Sequence, residues 1–236
     1  MDNIIWNKKT YKEFLKYLES NSDSKYKEFH FNLLNDDIEL YGVRTPLLKK
    51  IAKDISRTNY KEWLKYNNHK TYEEIIIHGL VLGCLKASFK EFLDEFDKFM
   101  PFISNWAICD IVCANSKMFK KNLDDGLAYI CKKVNSNNFW QQRVGLVLLL
   151  NYYINDKYID LVLKIANNMN SEEYYVKMAN AWLISMCYIK YPNKTKIFLN
   201  NTKIDNWTYN KSISKICDSK RINDKEKIVL KKLRKH

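Results

Sequence analysis

The chain has 236 residues and a formal net charge of +13, from 40 basic and 27 acidic side chains. It contains only 5 glycines and 3 prolines, which disfavours β-sandwiches and doubly wound α/β sheets because those folds need a turn residue at most connections. It has no glycine-rich phosphate loop, and its apolar fraction of 46% is enough for a folded core. The positive charge predicts a polyanionic partner, with nucleic acid favoured over a membrane surface.

The amino-terminal segment, Met1 to Phe14, is polar and has no apolar stretch of the kind found in signal peptides. The longest apolar run, Val144 to Leu150, is far shorter than the roughly 20 residues of a membrane span. We therefore expect a soluble, cytoplasmic protein. No cysteine pair has the Cys-x-x-Cys spacing, so we expect reduced core residues at positions 84, 109, 113, 131, 187 and 217.

Two helix starts are visible in the first third of the chain. Thr45 is predicted to be an N-cap, with Pro46 in the first helical position, where its missing N–H is not needed. The apolar residues that follow recur with helical spacing. Thr71 and Glu74 form a capping box ahead of a strongly apolar helix.

Proline marks two later helix ends. Pro101 ends one helix before Ser104 or Asn105 caps the next, and Pro192 follows a helix predicted over residues 172–190. The whole pattern predicts about twelve to fourteen helices and no strand.

Aromatic residues recur at the start of alternate predicted helices. Trp106, Trp140, Tyr175 and Trp207 are 34, 35 and 32 residues apart, and each precedes an apolar helix and then a more polar one, such as 120–134 or 157–169. A period in the thirties with two helices per unit indicates an all-α solenoid of paired antiparallel helices, with a single domain over residues 1–236. The concave face of such a stack could hold a duplex or a peptide.

The residues offer few catalytic candidates. The histidines, at positions 30, 69, 78 and 236, are scattered, so we expect no metal and no cofactor. Asp110 stands in apolar sequence, and Trp106 lies one helical turn before it on the same face. Asp110 is either a hydrogen-bonded buried residue or a carboxylate that, with an aromatic wall, stabilises a developing cation.

Arg143 and Trp182 also have two interpretations. Arg143 lies 33 residues after Asp110, so it could form a salt bridge between repeats or bind a phosphate or carboxylate. Trp182 lies in an apolar helix and by itself would be assigned to the core.

Four motifs occur in the order and approximate spacing of a known family. They are Tyr41-Gly42-Val43-Arg44-Thr45-Pro46, Trp106-x-x-x-Asp110, Phe139-Trp140-Gln141-Gln142-Arg143 and Ala181-Trp182. From about residue 25 to residue 220 the chain resembles the AlkD-like DNA alkylation repair proteins, HEAT-repeat solenoids that excise alkylated purines.

The resemblance implies a monomeric DNA glycosylase that binds double-stranded DNA and removes cationic bases such as 3-methyladenine and 7-methylguanine. It implies that Asp110 is the catalytic carboxylate and that Trp106 and Trp182 pack against the deoxyribose of the lesion. DNA contacts are assigned to Arg143, Arg44, Thr45, Lys177 and Lys211, on the concave face of a HEAT-like solenoid.

The chain departs from the family around Trp182. Met178 and Ser185 stand where the family commonly has Lys and Arg, which predicts weaker DNA contacts along this helix. The alternative function is a non-catalytic HEAT-repeat module that binds nucleic acid or protein and keeps the same side chains for packing.

Overall fold

The computed structural model describes residues 4–34 and 37–235, so His236, one of the four histidines, lies outside the described residues. Most of the described residues are helical. Among them, β-type backbone pairing is limited to an isolated bridge between Glu39 and Thr71. The all-α prediction is confirmed. Contacts divide the chain into two compact units, Met1–Met118 and Phe119–His236, each described by itself. A single domain over residues 1–236 stays a prediction.

The first unit is a series of paired helices. In chain order they are α1 Lys8–Ser20, α2 Ser24–Leu34, α3 Thr45–Arg57, α4 Tyr60–Tyr66, α5 Tyr72–Leu82, α6 Phe89–Phe99 and α7 Trp106–Asn115. A 3₁₀ turn, Met100–Phe102, follows α6. The alternate helices α3, α5 and α7 pack side by side, while α4 packs on α3 and α6 packs on α5. This alternation is the packing of an α-solenoid.

The second unit repeats the arrangement. After the short α8, Met118–Lys121, its helices are α9 Leu123–Val134, α10 Phe139–Tyr152, α11 Ile159–Asn168, α12 Tyr174–Lys190, α13 Pro192–Asn201, α14 Asn206–Asp218 and α15 Asp224–Lys232. Here α10, α12 and α14 pack in a row, α9 packs on α10, and α11 and α13 pack on α12. The single helix predicted over 120–134 is instead two helices: α8 ends at Lys121, and α9 begins at Leu123 after its N-cap, Asn122.

Most of the predicted helix starts are confirmed. Trp106 is the first residue of α7, and the other three repeat aromatics are the second residues of α10, α12 and α14. Thr71 and Glu74 form the expected capping box, and the Asn105 side chain caps α7 by accepting from the Ile108 N–H at 3.0 Å.

The predicted N-cap at Thr45 is wrong. Thr45 is the first residue of α3, and Arg44 is the N-cap, with no side-chain cap bond. The Arg44 carbonyl accepts from the N–H groups of Leu47 and Leu48, so the helix starts one residue earlier than the hydroxyl signal suggests. Pro46 has no N–H, and the Leu47 N–H already donates to the Arg44 carbonyl at 3.0 Å, so this helix start needs no hydroxyl cap.

Glycine sets the distance between α5 and α7. A Cβ atom built on Gly79 would lie 2.2 Å from a Val112 methyl and 3.0 Å from the Phe99 ring. Both neighbours are fully buried. The two helices therefore approach as closely as they do because position 79 has no side chain.

The cysteines follow the prediction only in part. All six are free; Cys109, Cys113 and Cys187 are buried, whereas Cys84 is exposed. Every residue of α5 is buried, but Cys84 lies two residues after the helix ends, and it is exposed for that reason.

His69 and His78, nine residues apart in the chain, are hydrogen-bonded neighbours. Nε2 of His69 lies 2.9 Å from Nδ1 of His78, and the His69 ring stacks on Phe102 with centroids 3.7 Å apart. Burial lowers the pKa of His78 to about 3, and the pKa of His69 is also lowered by burial. The pair is therefore uncharged at neutral pH.

This depressed pKa predicts acid sensitivity. Between pH 6.5 and about 3, unfolded His78 binds a proton that the folded protein excludes, so stability falls as the pH falls through this window. We expect the free energy of unfolding to drop by about 2 kcal/mol between pH 7 and pH 5 through His78. Urea titrations at both pH values test this. His78→Asn should flatten the dependence, and an unchanged slope would contradict the assignment.

Candidate active site and nucleic-acid interface

The helix α7 presents one accessible face that carries both Trp106 and Asp110. Its other face is buried at Ala107, Ile108, Cys109, Val112 and Cys113. Trp106 and Asp110 are partly exposed and stand four residues apart, one turn along the helix. The structure therefore places an indole and a carboxylate on the same solvent-reachable face, as the sequence predicts.

The indole of Trp106 is held by the end of α2. Its Nε1–H donates to the Leu33 carbonyl at 3.4 Å. Three large apolar side chains of α2 remain exposed: Phe29, Phe31 and Leu33. The hydrogen bond to the Leu33 carbonyl fixes the indole of Trp106 at the end of α2.

The turn before α3 is organised by Glu73, a residue of α5. The Glu73 carboxylate is 1% exposed and accepts from the N–H groups of Tyr41, Gly42 and Val43 at 2.8–3.0 Å. Gly42 has a φ of +93°, and a Cβ there would lie 2.6 Å from the Lys27 side chain. Glycine is therefore required at this point of the turn.

The turn directs Arg44 towards solvent. The Arg44 guanidinium donates twice to one oxygen of Asp23, at 2.7 and 3.0 Å, and lies 5.1 Å from the centre of the Tyr26 ring. The side chain of Arg44 remains 63% exposed. The Tyr26 N–H and Arg44 lower the pKa of Asp23. Arg44 is thus an oriented, accessible cation, and Thr45, directly after it, is partly exposed.

In the second unit, Arg143 is buried. It is 3% exposed, its guanidinium donates to the Tyr175 carbonyl at 2.7 Å, and it lies 6.0 Å from the Tyr175 ring centre. The Tyr175 ring stacks on Trp140, with centroids 5.1 Å apart. Tyr175, at the start of α12, therefore contacts both this arginine and Trp140 of α10.

Trp182 is partly exposed, between the buried residues Ala181 and Leu183. It lies two turns after Tyr175 on α12, so the two rings share a face of the helix. The Ser185 hydroxyl donates to the Trp182 carbonyl at 2.7 Å. Trp182 is therefore not a wholly buried core residue.

Lys177 is already paired with acidic side chains. Its ammonium lies 3.1 Å from Glu172 and 3.4 Å from Asp205, and 5.9 Å from the Trp207 ring centre. Its side chain is 16% exposed. A phosphate would have to compete with two carboxylates for this cation.

Lys211 lies on α14 and is partly exposed. It is the first residue of a basic terminal segment, residues 211–236. That segment docks through α15: Leu230 is 1% exposed, and the Tyr188 hydroxyl donates to Glu226 at 2.6 Å. Lys225, Lys231 and Lys232 are exposed.

The candidate residues fall into two groups. Trp106, Asp110, Arg44 and Thr45 belong to the first unit, and Arg143, Trp182, Lys177 and Lys211 belong to the second. Among the described residues, no group of three His, Cys, Asp or Glu side chains could hold a metal ion. No described helix is both long and apolar enough to cross a membrane.

A family model of DNA alkylation repair enzymes matches residues 14–216 of the chain. The chain belongs to this family. The match confirms the resemblance drawn from the motifs, and it supports a role in DNA repair with DNA as the substrate. No curated protein sequence matches the chain.

All the candidate residues of this DNA alkylation repair family member lie inside the matched range, whereas α15 lies beyond it. Glu73 and Asp23, which shape the turn at residues 41–44 and orient Arg44, were not predicted from the sequence. The signal for Glu73 was a carboxylate at the start of an apolar helix, next to the capping residue Glu74.

Proposed function

We propose that the protein is a DNA glycosylase that hydrolyses the N-glycosidic bond of cationic alkylated purines, such as 3-methyladenine and 7-methylguanine. The observation that carries the proposal is the shared accessible face of α7, where a partly exposed carboxylate, Asp110, follows an indole, Trp106, by one turn. The family match supports this proposal, because it suggests DNA as the substrate.

The chemistry needs only one carboxylate. Alkylation at N3 or N7 gives the purine a positive charge, so the base departs with the bonding electrons as a neutral molecule and needs no general acid. The sugar left behind is oxocarbenium-like. Asp110 stabilises this cation and accepts a hydrogen bond from the water that attacks C1′, whose proton passes to the carboxylate or to solvent. The faces of Trp106 and Trp182 favour the cationic sugar.

DNA binding completes the proposal. Arg44 is the most accessible of the assigned contacts, and with Thr45 and Lys211 it would meet backbone phosphates on the concave face of a single HEAT-like domain. Arg143, whose guanidinium donates to the Tyr175 carbonyl, would act beside the lesion. Lys177 would contribute least, because Glu172 and Asp205 already neutralise it.

The direct test is release of free base. Methylated duplex DNA is incubated with the protein, and free 7-methylguanine and 3-methyladenine are measured by mass spectrometry against spontaneous depurination. Release well above the spontaneous rate is expected, with none from undamaged DNA. Release no faster than the spontaneous rate, together with intact duplex binding, would favour the non-catalytic HEAT-repeat module.

The terminal segment is predicted to contribute to DNA affinity through its charge. Residues 211–236 hold ten basic and three acidic side chains, a net charge of +7. Each phosphate neutralised contributes about −0.9 to the slope of log K against log salt. Replacing Lys225, Lys231 and Lys232 by Gln should therefore reduce the slope by up to about 2.7 without changing lesion preference.

Substitution is the better test here, because deleting residues 225–236 would also remove the buried Leu230 and the Tyr188–Glu226 hydrogen bond. The slope is measured by fluorescence anisotropy with a labelled duplex. A slope unchanged by the triple substitution would show that α15 only covers the end of its unit.

A further inference from the structure

A basic cavity lies at the carboxyl ends of α3, α5 and α7, within the first unit. Its volume is about 830 Å³, and its wall is formed by the end of α3 and by the segments that follow α3, α5 and α7. Trp106 opens α7, whereas this cavity lies beyond the other end of that helix, which spans about 15 Å. It is therefore separate from the face that carries Asp110.

The wall of the cavity carries four cations and no carboxylate: Lys53, Arg57, Lys86 and Lys117. All four are exposed. In the part of the chain that the structure describes, none of them forms a salt bridge, whereas Lys65 and Lys98 of the same unit pair with Glu62 and Glu95 at 2.7 Å. The positive charge in the cavity is thus not neutralised by the protein.

Compensation of helix dipoles does not account for the cluster. Arg57 lies in the last turn of α3 and interacts favourably with its carbonyl end. Lys86 lies four residues beyond the end of α5, and Lys117 two residues beyond the end of α7. The dipole effect falls off within the last turn, so it does not explain the positions of Lys86 and Lys117. It also does not explain why cations from three separate helix ends line the same cavity.

The cations converge closely enough to act on one side chain. Cys84, also in the wall, has a thiol whose pKa is raised by burial; a hydrogen bond with Ser56, and then the charges of Lys117, Lys53 and Arg57, oppose that rise. Cations from α3 and from the segment after α7 therefore line the same cavity as a thiol that follows α5.

We propose that this cavity binds a ligand with two or more phosphate groups. Arginine and lysine side chains converging without a carboxylate are suited to closely spaced phosphate charges, because charge-assisted hydrogen bonds to phosphate are strong and Arg57 can bind in bidentate fashion. The volume is that of a small-ligand pocket, too small for the face of a folded protein. The phosphates can come from a nucleic-acid backbone or from a free nucleotide or polyphosphate. The proposal does not depend on glycosylase activity.

Calorimetric titration of the full chain with pyrophosphate tests the site. The double variant Arg57→Gln/Lys117→Gln should bind pyrophosphate at least about tenfold more weakly than the unmodified protein. The matched control, Lys12→Gln/Lys16→Gln, removes the same charge from exposed positions on α1 and should bind within about twofold of the unmodified protein. Failure of the unmodified protein to bind pyrophosphate at low salt, or an equal loss in the control, would overturn the proposal.

An undamaged duplex and a hexaglutamate peptide distinguish the sources of negative charge. Duplex affinity that falls in the cavity variant but not in the control identifies a nucleic-acid backbone. Loss of pyrophosphate binding with unchanged duplex affinity identifies a free nucleotide or polyphosphate. Hexaglutamate binding as tight as pyrophosphate binding, with the same loss in the cavity variant, would refute a phosphate site.

Cys84 provides a second measurement, because it is the exposed cysteine of the chain. Pyrophosphate in the cavity should slow the alkylation of Cys84 by iodoacetamide, followed by mass spectrometry, while Cys131 and Cys217 react at unchanged rates. Unchanged labelling of Cys84 at saturating pyrophosphate would overturn the proposal. Neither measurement uses base release, so a failed glycosylase assay leaves the result intact.

Discussion

Replacement of Asp110 by Asn is expected to lower the rate of base release from methylated DNA by about a hundredfold to a thousandfold. Asn keeps the shape of the side chain but loses the negative charge that stabilises the oxocarbenium-like sugar. Because Asp110 is only partly buried, on the accessible face of α7, the fold should tolerate the change. Single-turnover release of 7-methylguanine gives the rate of the chemical step.

The matched control is Asp94→Asn, which removes a carboxylate from an exposed position on α6 of the same unit. Its release rate should be unchanged. Duplex affinity, measured by anisotropy, should change little in either variant. If Asp110→Asn lost duplex affinity and rate by the same factor, Asp110 would have a structural role and the catalytic assignment would fail.

Replacement of Glu73 by Ala is expected to lower the free energy of unfolding by about 4 kcal/mol. The change leaves three backbone N–H groups without their carboxylate acceptor, and those of Gly42 and Val43 are buried. Glu73→Gln should cause about half this loss, because an amide keeps one acceptor oxygen. Urea titrations measure both variants.

The exposed residue Glu13 on α1 supplies the control, since Glu13→Ala should change the unfolding free energy by less than about 0.5 kcal/mol. Glu73→Gln should also weaken duplex binding, because the turn it holds leads directly to Arg44. Unfolding curves that are the same for Glu73→Ala and the unmodified protein would show that the turn does not depend on this carboxylate.

Local signals in the sequence predicted the helices well, because caps and apolar periodicity act within a few residues. The capping box at Thr71 and the side-chain cap at Asn105 are confirmed. The start of α3 was missed by one residue because the Arg44 carbonyl, not that of Thr45, accepts the first N–H groups of the helix. The role of Glu73 was missed for a different reason: it accepts from the N–H groups of a turn about thirty residues away, and a long-range hydrogen bond leaves no trace in the local sequence pattern.

The site was predicted less completely than the fold. The common face of Trp106 and Asp110 follows from their spacing of four residues. The surroundings of the cations do not follow from spacing: Arg143 is buried against the Tyr175 carbonyl, and Lys177 is paired with Glu172 and Asp205. Residue type suggests a phosphate contact for each, whereas accessibility and neighbouring charge depend on tertiary packing.

The close approach at Gly79 has a consequence for variation among relatives. Any side chain at position 79 would collide with Val112, on the buried face of the helix that carries Asp110. An alanine at position 79 therefore leaves Asp110 in place only if the same protein has a side chain smaller than valine at position 112. Positions 79 and 112 are expected to co-vary across the family, with alanine at one accompanied by alanine or glycine at the other.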